Sequence, residues 1–219
     1  MNNPSILVVV VLYKCSLAQS QTWNSLASSK GLPGERIRVL VFNNSPTPLS
    51  DAEQNLINLF SHRSDYFHYP ENISLAKIYN LAIKKRDKED FLLILDQDSQ
   101  FDTNFFNEFK IKSTIHPEID LFIPYVIHNR KVVSPGNWLG YKGRYWKNLT
   151  TGKVDSKNLT AISSGMFIGF SYLTNDFSHF DETFSLYGID TYFMQQYAKR
   201  RQYAFVLDYE AAEVEHGDA

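Results

Sequence analysis

The chain opens with an unbroken, mostly β-branched apolar run, Ile6–Leu12, the pattern of a strand buried on both faces. Gln19–Ser29 follows, with Trp23, Leu26 and Ala27 at helical spacing, and Gly31, Pro33 and Gly34 punctuate its end. Arg38–Phe42 predicts a second strand, closed by the turn sequence Asn43-Asn44-Ser45-Pro46. Asp51–Phe60 predicts a helix with Leu56, Leu59 and Phe60 on one face, and Tyr66–Tyr69 a short third strand. Ile73–Arg86 repeats Ala76, Tyr79, Ala82 and Ile83 at intervals of three and four, and its basic end suits a helix dipole. Phe91–Leu95 is a fourth, fully apolar strand that stops abruptly at Asp96-Gln97-Asp98-Ser99. Thr103 begins a helix faced by Phe105, Phe106 and Phe109, and Leu121–Ile123 reads as a fifth strand.

Strands alternating with helices imply parallel pairing and an α/β sandwich. Ligands bind such sheets outside the carboxyl ends of the strands, which puts Asn43, Asn44, Asp96 and Asp98 on one rim. The second half changes character. Tyr125–Leu159 is rich in Gly, Tyr, Trp, Asn and Thr and predicts loops and hairpins. Ala161–Phe170 predicts a strand bent at Gly165, Gly188–Arg200 a helix and Tyr203–Leu207 a last strand. No repeat or linker divides the chain, so one domain over 1–219 is expected.

Composition narrows the function. The 219 residues hold 22 Lys and Arg against 24 Asp and Glu, a net charge of -2. That balance argues against a nucleic-acid binder, and 43% hydrophobic residues argue against bulk disorder. Cys15 stands alone, which excludes an internal disulfide, and its place after the first apolar run reads as a buried small hydrophobe. Ile6–Leu12 is too short to span a bilayer and lacks a charged leader. The four Asn-x-Ser/Thr triplets, at Asn43, Asn72, Asn148 and Asn158, then read as chance, and a cytoplasmic protein is expected. Aromatic residues make up 15% of the chain, a figure that suits either a Phe-rich core or a sugar-stacking surface.

Three acidic or imidazole positions can carry chemistry. If Asp96-Gln97-Asp98 stays extended, both carboxylates face one way and repel unless a hard cation lies between them. The plainer reading is a turn with solvated aspartates. Asp190 falls at the start of a helix, where it is either an N-cap or a general base. His216 is a surface histidine or a further metal ligand. There is no Walker A sequence and no Gly-x-Gly-x-x-Gly, and Ser163-Ser164-Gly165 lacks a nucleophile-elbow frame.

In this order the segments resemble the family 2 glycosyltransferases. The likeness rests on Leu12-Tyr13-Lys14, Val41-Phe42-Asn43-Asn44-Ser45, Glu71-Asn72-Ile73-Ser74-Leu75-Ala76 with Asn80, and Leu93-Ile94-Leu95-Asp96-Gln97-Asp98-Ser99. It continues through Gly165-Met166-Phe167, Phe180-Asp181-Glu182 with Asp190, and Glu215-His216. The resemblance implies a GT-A fold, a single mixed, mostly parallel sheet flanked by helices. A nucleotide-sugar-binding half (1–100) would precede an acceptor-binding half (101–219).

It implies an inverting transfer from a nucleotide-diphosphate sugar donor to a hydroxyl of a glycan or lipid-linked acceptor, with Mg²⁺ or Mn²⁺ as cofactor. Tyr13, Asn43, Asn44, Asn72, Lys77, Asp96 and Gln97 would meet the donor, and Asp96, Asp98 and His216 the metal. Asp190 would be the base, with Gly165, Asp181 and Glu182 on the acceptor side. Trp138, Tyr141, Tyr145 and Trp146 either stack on acceptor sugars or pack under long loops. The Leu-Asp-Gln-Asp-Ser form is similar to bacterial rhamnosyltransferases of surface-polysaccharide assembly, which implies dTDP-rhamnose.

The chain departs from the family at Asn43, Ser74 and Ile189, where Asp, Gly and an acidic residue are usual, and it ends three residues past His216. It therefore reads as a bare catalytic core or as one shorn of a C-terminal element. A nucleotidyltransferase and a non-catalytic glycan-binding relative are the alternatives. The first is disfavoured because Tyr13-Lys14-Cys15-Ser16-Leu17 has no glycine to cradle a triphosphate. Peripheral association with the inner face of a membrane stays open, although no basic amphipathic helix is evident.

Overall fold

A computed structural model describes residues 3–29, 36–60, 63–140 and 142–211. Strands β1 (Ile6–Leu12), β2 (Ile37–Asn43), β3 (Arg63–His68) and β4 (Phe91–Asp96) alternate with helices α1 (Gln21–Ser28), α2 (Asp51–Asn58) and α3 (Leu75–Lys84). They pair in parallel in the order β3-β2-β1-β4. After α4 (Thr103–Ile115) come β5 (Leu121–His128), β6 (Lys131–Trp138), β7 (Gly143–Trp146), β8 (Gly152–Asp155), β9 (Leu159–Thr160) and β10 (Phe167–Gly169). Helices α5 (Phe170–Asn175) and α6 (Ile189–Ala198) and strand β11 (Tyr203–Glu210) complete the described chain.

The sheet continues from β4 through antiparallel β10 to β5, β11 and β8. Strand β5 also pairs with β6, which carries β7 and β9. The result is the mixed, mostly parallel sheet flanked by helices that the sequence predicts.

Alternation along the buried strands explains the layering. Leu7, Val9 and Val11 of β1 and Leu92 and Ile94 of β4 face one core with Ala76, Tyr79, Phe170 and Phe193 of α3, α5 and α6. Ile6, Val8, Val10, Leu12, Leu93 and Leu95 face the other, with Trp23, Ile57, Phe105 and Phe109 of α1, α2 and α4. Most of the phenylalanine belongs to these cores. Phe109 and Phe167 stack at 3.8 Å between ring centres, and Phe177, Phe180 and Phe193 cluster on the opposite face.

Side-chain caps set the helix starts. Ser20, Ser50, Ser74 and Asp102 each accept a backbone N–H from the first turn, and Ser50 with Glu53 completes a capping box. This explains why α1 and α3 begin two residues later than apolar spacing predicts.

Several expectations fail. On α2 the buried residue is Ile57, whereas Leu56 and Leu59 are 57% and 81% exposed. The expected face is rotated because β3 covers only one side of this short helix. The predicted strand over Ala161–Phe170 contracts to β10. A tight turn at Ser163–Gly165 precedes it, and Phe170 already starts α5. Cys15 is only half-buried, since the chain leaves the sheet at Tyr13. Asp96-Gln97-Asp98 is not extended: Asp96 ends β4 and the next two residues turn, with Ser99 N–H donating to Asp96 O at 3.4 Å.

Candidate active site

The carboxyl ends of β1, β2 and β4 form the rim. The turn after β4 is held from three sides. Gln97 Oε1 accepts from Tyr13 N–H at 2.7 Å, which ties it to the end of β1. The start of α1 grips its carbonyls: Thr22 Oγ1 donates to Asp96 O, and Ser20 Oγ to Gln97 O at 2.9 Å. From the β10 side, Asp96 N–H donates to Ser164 Oγ at 3.1 Å, and Ser164 Oγ meets Ser99 Oγ at 2.6 Å.

Ser163, one residue earlier, faces Asp190. The N-cap of α6 is Gly188, which sits at φ 87 and offers no capping side chain, so Asp190 is not the N-cap but a first-turn residue. Its carboxyl is half-buried. Burial pushes it above the ordinary carboxylate range, while hydrogen bonds from the Ser163 hydroxyl and backbone N–H draw it partly back. The first-turn position adds the favourable end of the helix dipole.

Tyr79 of α3, 1% exposed, feels the charge of both Asp96 and Asp190. Burial raises its phenol far above its usual value, and the charges of Asp96 and Asp190 raise it further, while a hydrogen bond with Ser163 opposes them. A hydroxyl has one proton to give. With Asp190 ionised, Ser163 gives it to the carboxylate and the Tyr79 O–H donates to Ser163. Tyr79, Ser163 and Asp190 thus set α3, the turn before β10 and the start of α6 against one another.

The 180–185 segment is bound to α3 by Asn80. Its Nδ2 donates to Phe180 O and Glu182 Oε1, both at 2.9 Å, and its Oδ1 accepts from Phe180 N–H at 2.8 Å. Ser185 O accepts from Leu75 N–H. Asp181 is satisfied locally, accepting from the hydroxyl and backbone of Thr183, which lowers its pKa. Gly165 is buried, at φ +87, and a Cβ there would lie 2.7 Å from Pro124 Cγ. Only glycine makes this turn, which brings Ser163 and Ser164 to the rim.

A second cleft, of about 420 Å³, opens where β1 and β2 end, lined by Lys14, Cys15, Asn43, Ser45, Thr47 and Glu53 among others. Asn43 shapes it. Its Nδ2 donates to Thr47 O and Tyr66 Oη, and its Oδ1 accepts from Ser45 N–H, so the side chain is satisfied within the protein. Asn44 is 3% exposed. Its Nδ2 donates to Asn72 Oδ1 and Ile73 O at 2.8 Å each, leaving its own Oδ1 without a partner. Tyr13 is 40% exposed beside this cleft, and Lys77 is exposed on the first turn of α3. Asp98 bears on the same region, since its charge and that of Glu53 add to burial in raising the Cys15 thiol.

Among the described residues no three His, Cys, Asp or Glu side chains gather as a metal cage, and His216 lies outside them. Two half-buried carboxylates on an open rim, Asp96 and Asp98, are a donor set that suits Mg²⁺ or Mn²⁺ shared with a substrate's phosphates.

The aromatic residues of the second half divide. Trp146 packs against the core and donates from Nε1 to Asn137 Oδ1 at 3.2 Å. Tyr145 is 59% exposed on β7 and Trp138 half-buried at the end of β6; Tyr141 is outside the described residues. Sequence reasoning missed Ser163, Ser164, Thr22 and the polar role of Tyr79. The one signal for the serines was a polar pair just before a buried glycine.

No protein-family model and no curated sequence matches the chain. Solved structures do. S. aureus TarS 1-349 in complex with UDP-GlcNAc superposes at a TM-score of 0.70 and 16% identity, over 98% of this chain and 60% of that one. The same protein in complex with UDP gives 0.68 at 17%, over 96% and 61%. GalNAc-T7 with UDP, GalNAc and Mn²⁺ gives 0.73 at 10%, over 98% and 44%. The chain thus spans about three fifths of the TarS piece and less than half of GalNAc-T7. A strand order of β3-β2-β1-β4 with antiparallel β10 inserted beside β4, matched over nearly the whole chain, is the GT-A fold of these glycosyltransferases.

Proposed function

We propose that the chain is an inverting glycosyltransferase of the family 2 type, moving a sugar from a nucleotide-diphosphate donor to a hydroxyl of a glycan or lipid-linked acceptor. The observation that carries this reading is the half-buried Asp190 carboxyl, in the first turn of α6 and held by Ser163. The UDP and UDP-GlcNAc complexes of proteins with the same fold support a nucleotide-sugar donor.

In this reading the nucleoside enters the cleft at the ends of β1 and β2, beside Tyr13 and Lys14. Asn44 ties the end of β2 to Asn72 and Ile73 beside that cleft. Asn43 and Asn72 hold the loops that shape the cleft, and Gln97 fixes the turn. Lys77 meets the donor from α3. Asp96 and Asp98, with His216 if the C-terminal segment reaches the rim, hold the divalent cation. When bound, the cation offsets negative charge on the departing diphosphate.

Asp190 takes the proton of an acceptor hydroxyl, whose oxygen bonds to the anomeric carbon as the bond to the diphosphate oxygen breaks on the opposite face. A carboxyl with a raised pKa is the stronger base for this step, provided it is ionised at the working pH. Gly165, Asp181 and Glu182 frame the acceptor side, and Trp138 offers a ring to its sugars. The Leu95-Asp96-Gln97-Asp98-Ser99 form favours dTDP-rhamnose and surface-polysaccharide assembly.

The test is a thermal-shift screen of dTDP-, UDP- and GDP-sugars, each with Mg²⁺ or Mn²⁺, followed by donor turnover. A specific upward shift and metal-dependent donor cleavage are expected, with Asp190→Asn keeping the shift and losing transfer. No shift with any donor, or unchanged turnover in Asp190→Asn, refutes the assignment.

A further inference from the structure

From 121 to 154 the chain contains no Asp or Glu, yet it carries Arg130, Lys131, Lys142, Arg144, Lys147 and Lys153. The remainder holds 16 cations against 24 acids, so the molecule is basic at one end and acidic elsewhere. Lys153 is engaged by Glu118 at 3.1 Å. The other five are exposed and line a groove of about 640 Å³ on the β6–β7 hairpin. Among the described residues Arg130, Lys131, Arg144 and Lys147 make no ion pair. Like charges crowded without counter-charge repel, so the cluster disfavours the free fold.

Two further observations say what relieves it. Asn129 and Arg130 form a two-residue turn with φ 49 and 62 between β5 and β6. Glycine takes the second position of such a turn at least strain, yet an arginine stands there. Leu139 and Tyr145, 46% and 59% exposed, line the same groove. A water-borne acidic polymer would satisfy the cations but give an exposed leucine nothing. An anionic bilayer satisfies both: its headgroups meet the cations, and its acyl boundary takes Leu139 and the ring of Tyr145.

We propose that the β6–β7 hairpin docks this protein on an anionic lipid bilayer. The acidic remainder of the molecule turns away from the charged surface, which fixes the orientation. The hairpin is anchored next to the candidate base, because Ile162 N–H donates to Ser134 Oγ of β6 at 3.1 Å and Ser163 follows directly. A docked molecule therefore carries the Asp190 side of its rim with the hairpin. Docking does not depend on the transfer reaction.

The experiment is cosedimentation of the full chain with vesicles of phosphatidylcholine alone or mixed with phosphatidylglycerol. Binding only to the anionic vesicles, weakened by salt, is expected. Each cation near such a surface is worth about a fivefold change in partition, so Arg144→Ala/Lys147→Ala should lose roughly 25-fold. Leu139→Ser/Tyr145→Ser should weaken the salt-resistant part. Lys84→Ala/Lys88→Ala changes the net charge equally elsewhere and should bind as wild type. All six positions are exposed, and circular dichroism confirms that each variant is folded. Equal loss in the Lys84/Lys88 variant, equal binding to neutral vesicles, or competition by soluble polyphosphate that leaves the Leu139/Tyr145 variant unaffected would overturn the proposal.

Discussion

Replacing Ser163 by alanine removes one donor from the Asp190 carboxylate and leaves the backbone N–H in place. A hydrogen bond to a charged group contributes roughly 1.5–3 kcal/mol, and one pKa unit corresponds to about 1.4 kcal/mol. The Asp190 pKa, already raised by burial, should rise further. A general base works only when ionised, so the acid limb of the pH–rate profile should move up by the same interval. At a pH on the wild-type limb the variant should be about 10- to 100-fold slower, and at higher pH it should approach the wild-type plateau. The assay is the pH dependence of donor turnover, with Asp190→Asn as the baseline. Coincident acid limbs would refute the reasoning. A uniform loss at every pH would assign Ser163 to positioning and not to charge.

Asp190→Asn tests the same residue through stability. The folded pKa lies above the unfolded one, so the native state holds its proton longer and stability falls as pH rises between the two values. The variant should therefore melt higher than wild type at neutral pH, a difference that vanishes below the ordinary carboxylate range; scanning calorimetry across pH checks it. Asn80→Ala strands the buried N–H and C=O of Phe180, costing about 2–4 kcal/mol in urea unfolding, and a loss under about 1 kcal/mol would contradict the anchoring role. The Cys15 thiol, raised first by burial, should react slowly with maleimide, and more slowly still with nucleotide and metal in the cleft. Equal rates with and without nucleotide would remove the cleft from the donor site.

The sequence by itself determined the parallel half of the sheet. Ile6–Leu12 and Phe91–Leu95 are apolar without interruption because helices cover both faces, and that local pattern is complete within each run. It also put Asn43, Asn44, Asp96 and Asp98 on the carboxyl rim, since polar residues ending such strands have nowhere else to go. Tertiary structure decided what those residues do. Asn43 turns inward because Tyr66, 23 residues on, offers its hydroxyl. The Asp96 turn is shaped by Thr22 and Ser164, 74 and 68 residues away, and the 180–185 segment by Asn80 at a separation of 100. Periodicity reports only which face of a single element is apolar. It misplaced the buried side of α2, where one neighbour covers the helix, and it was silent on the β6–β7 cations. Their spacing along the chain is irregular, and only strand pairing gathers them into one groove.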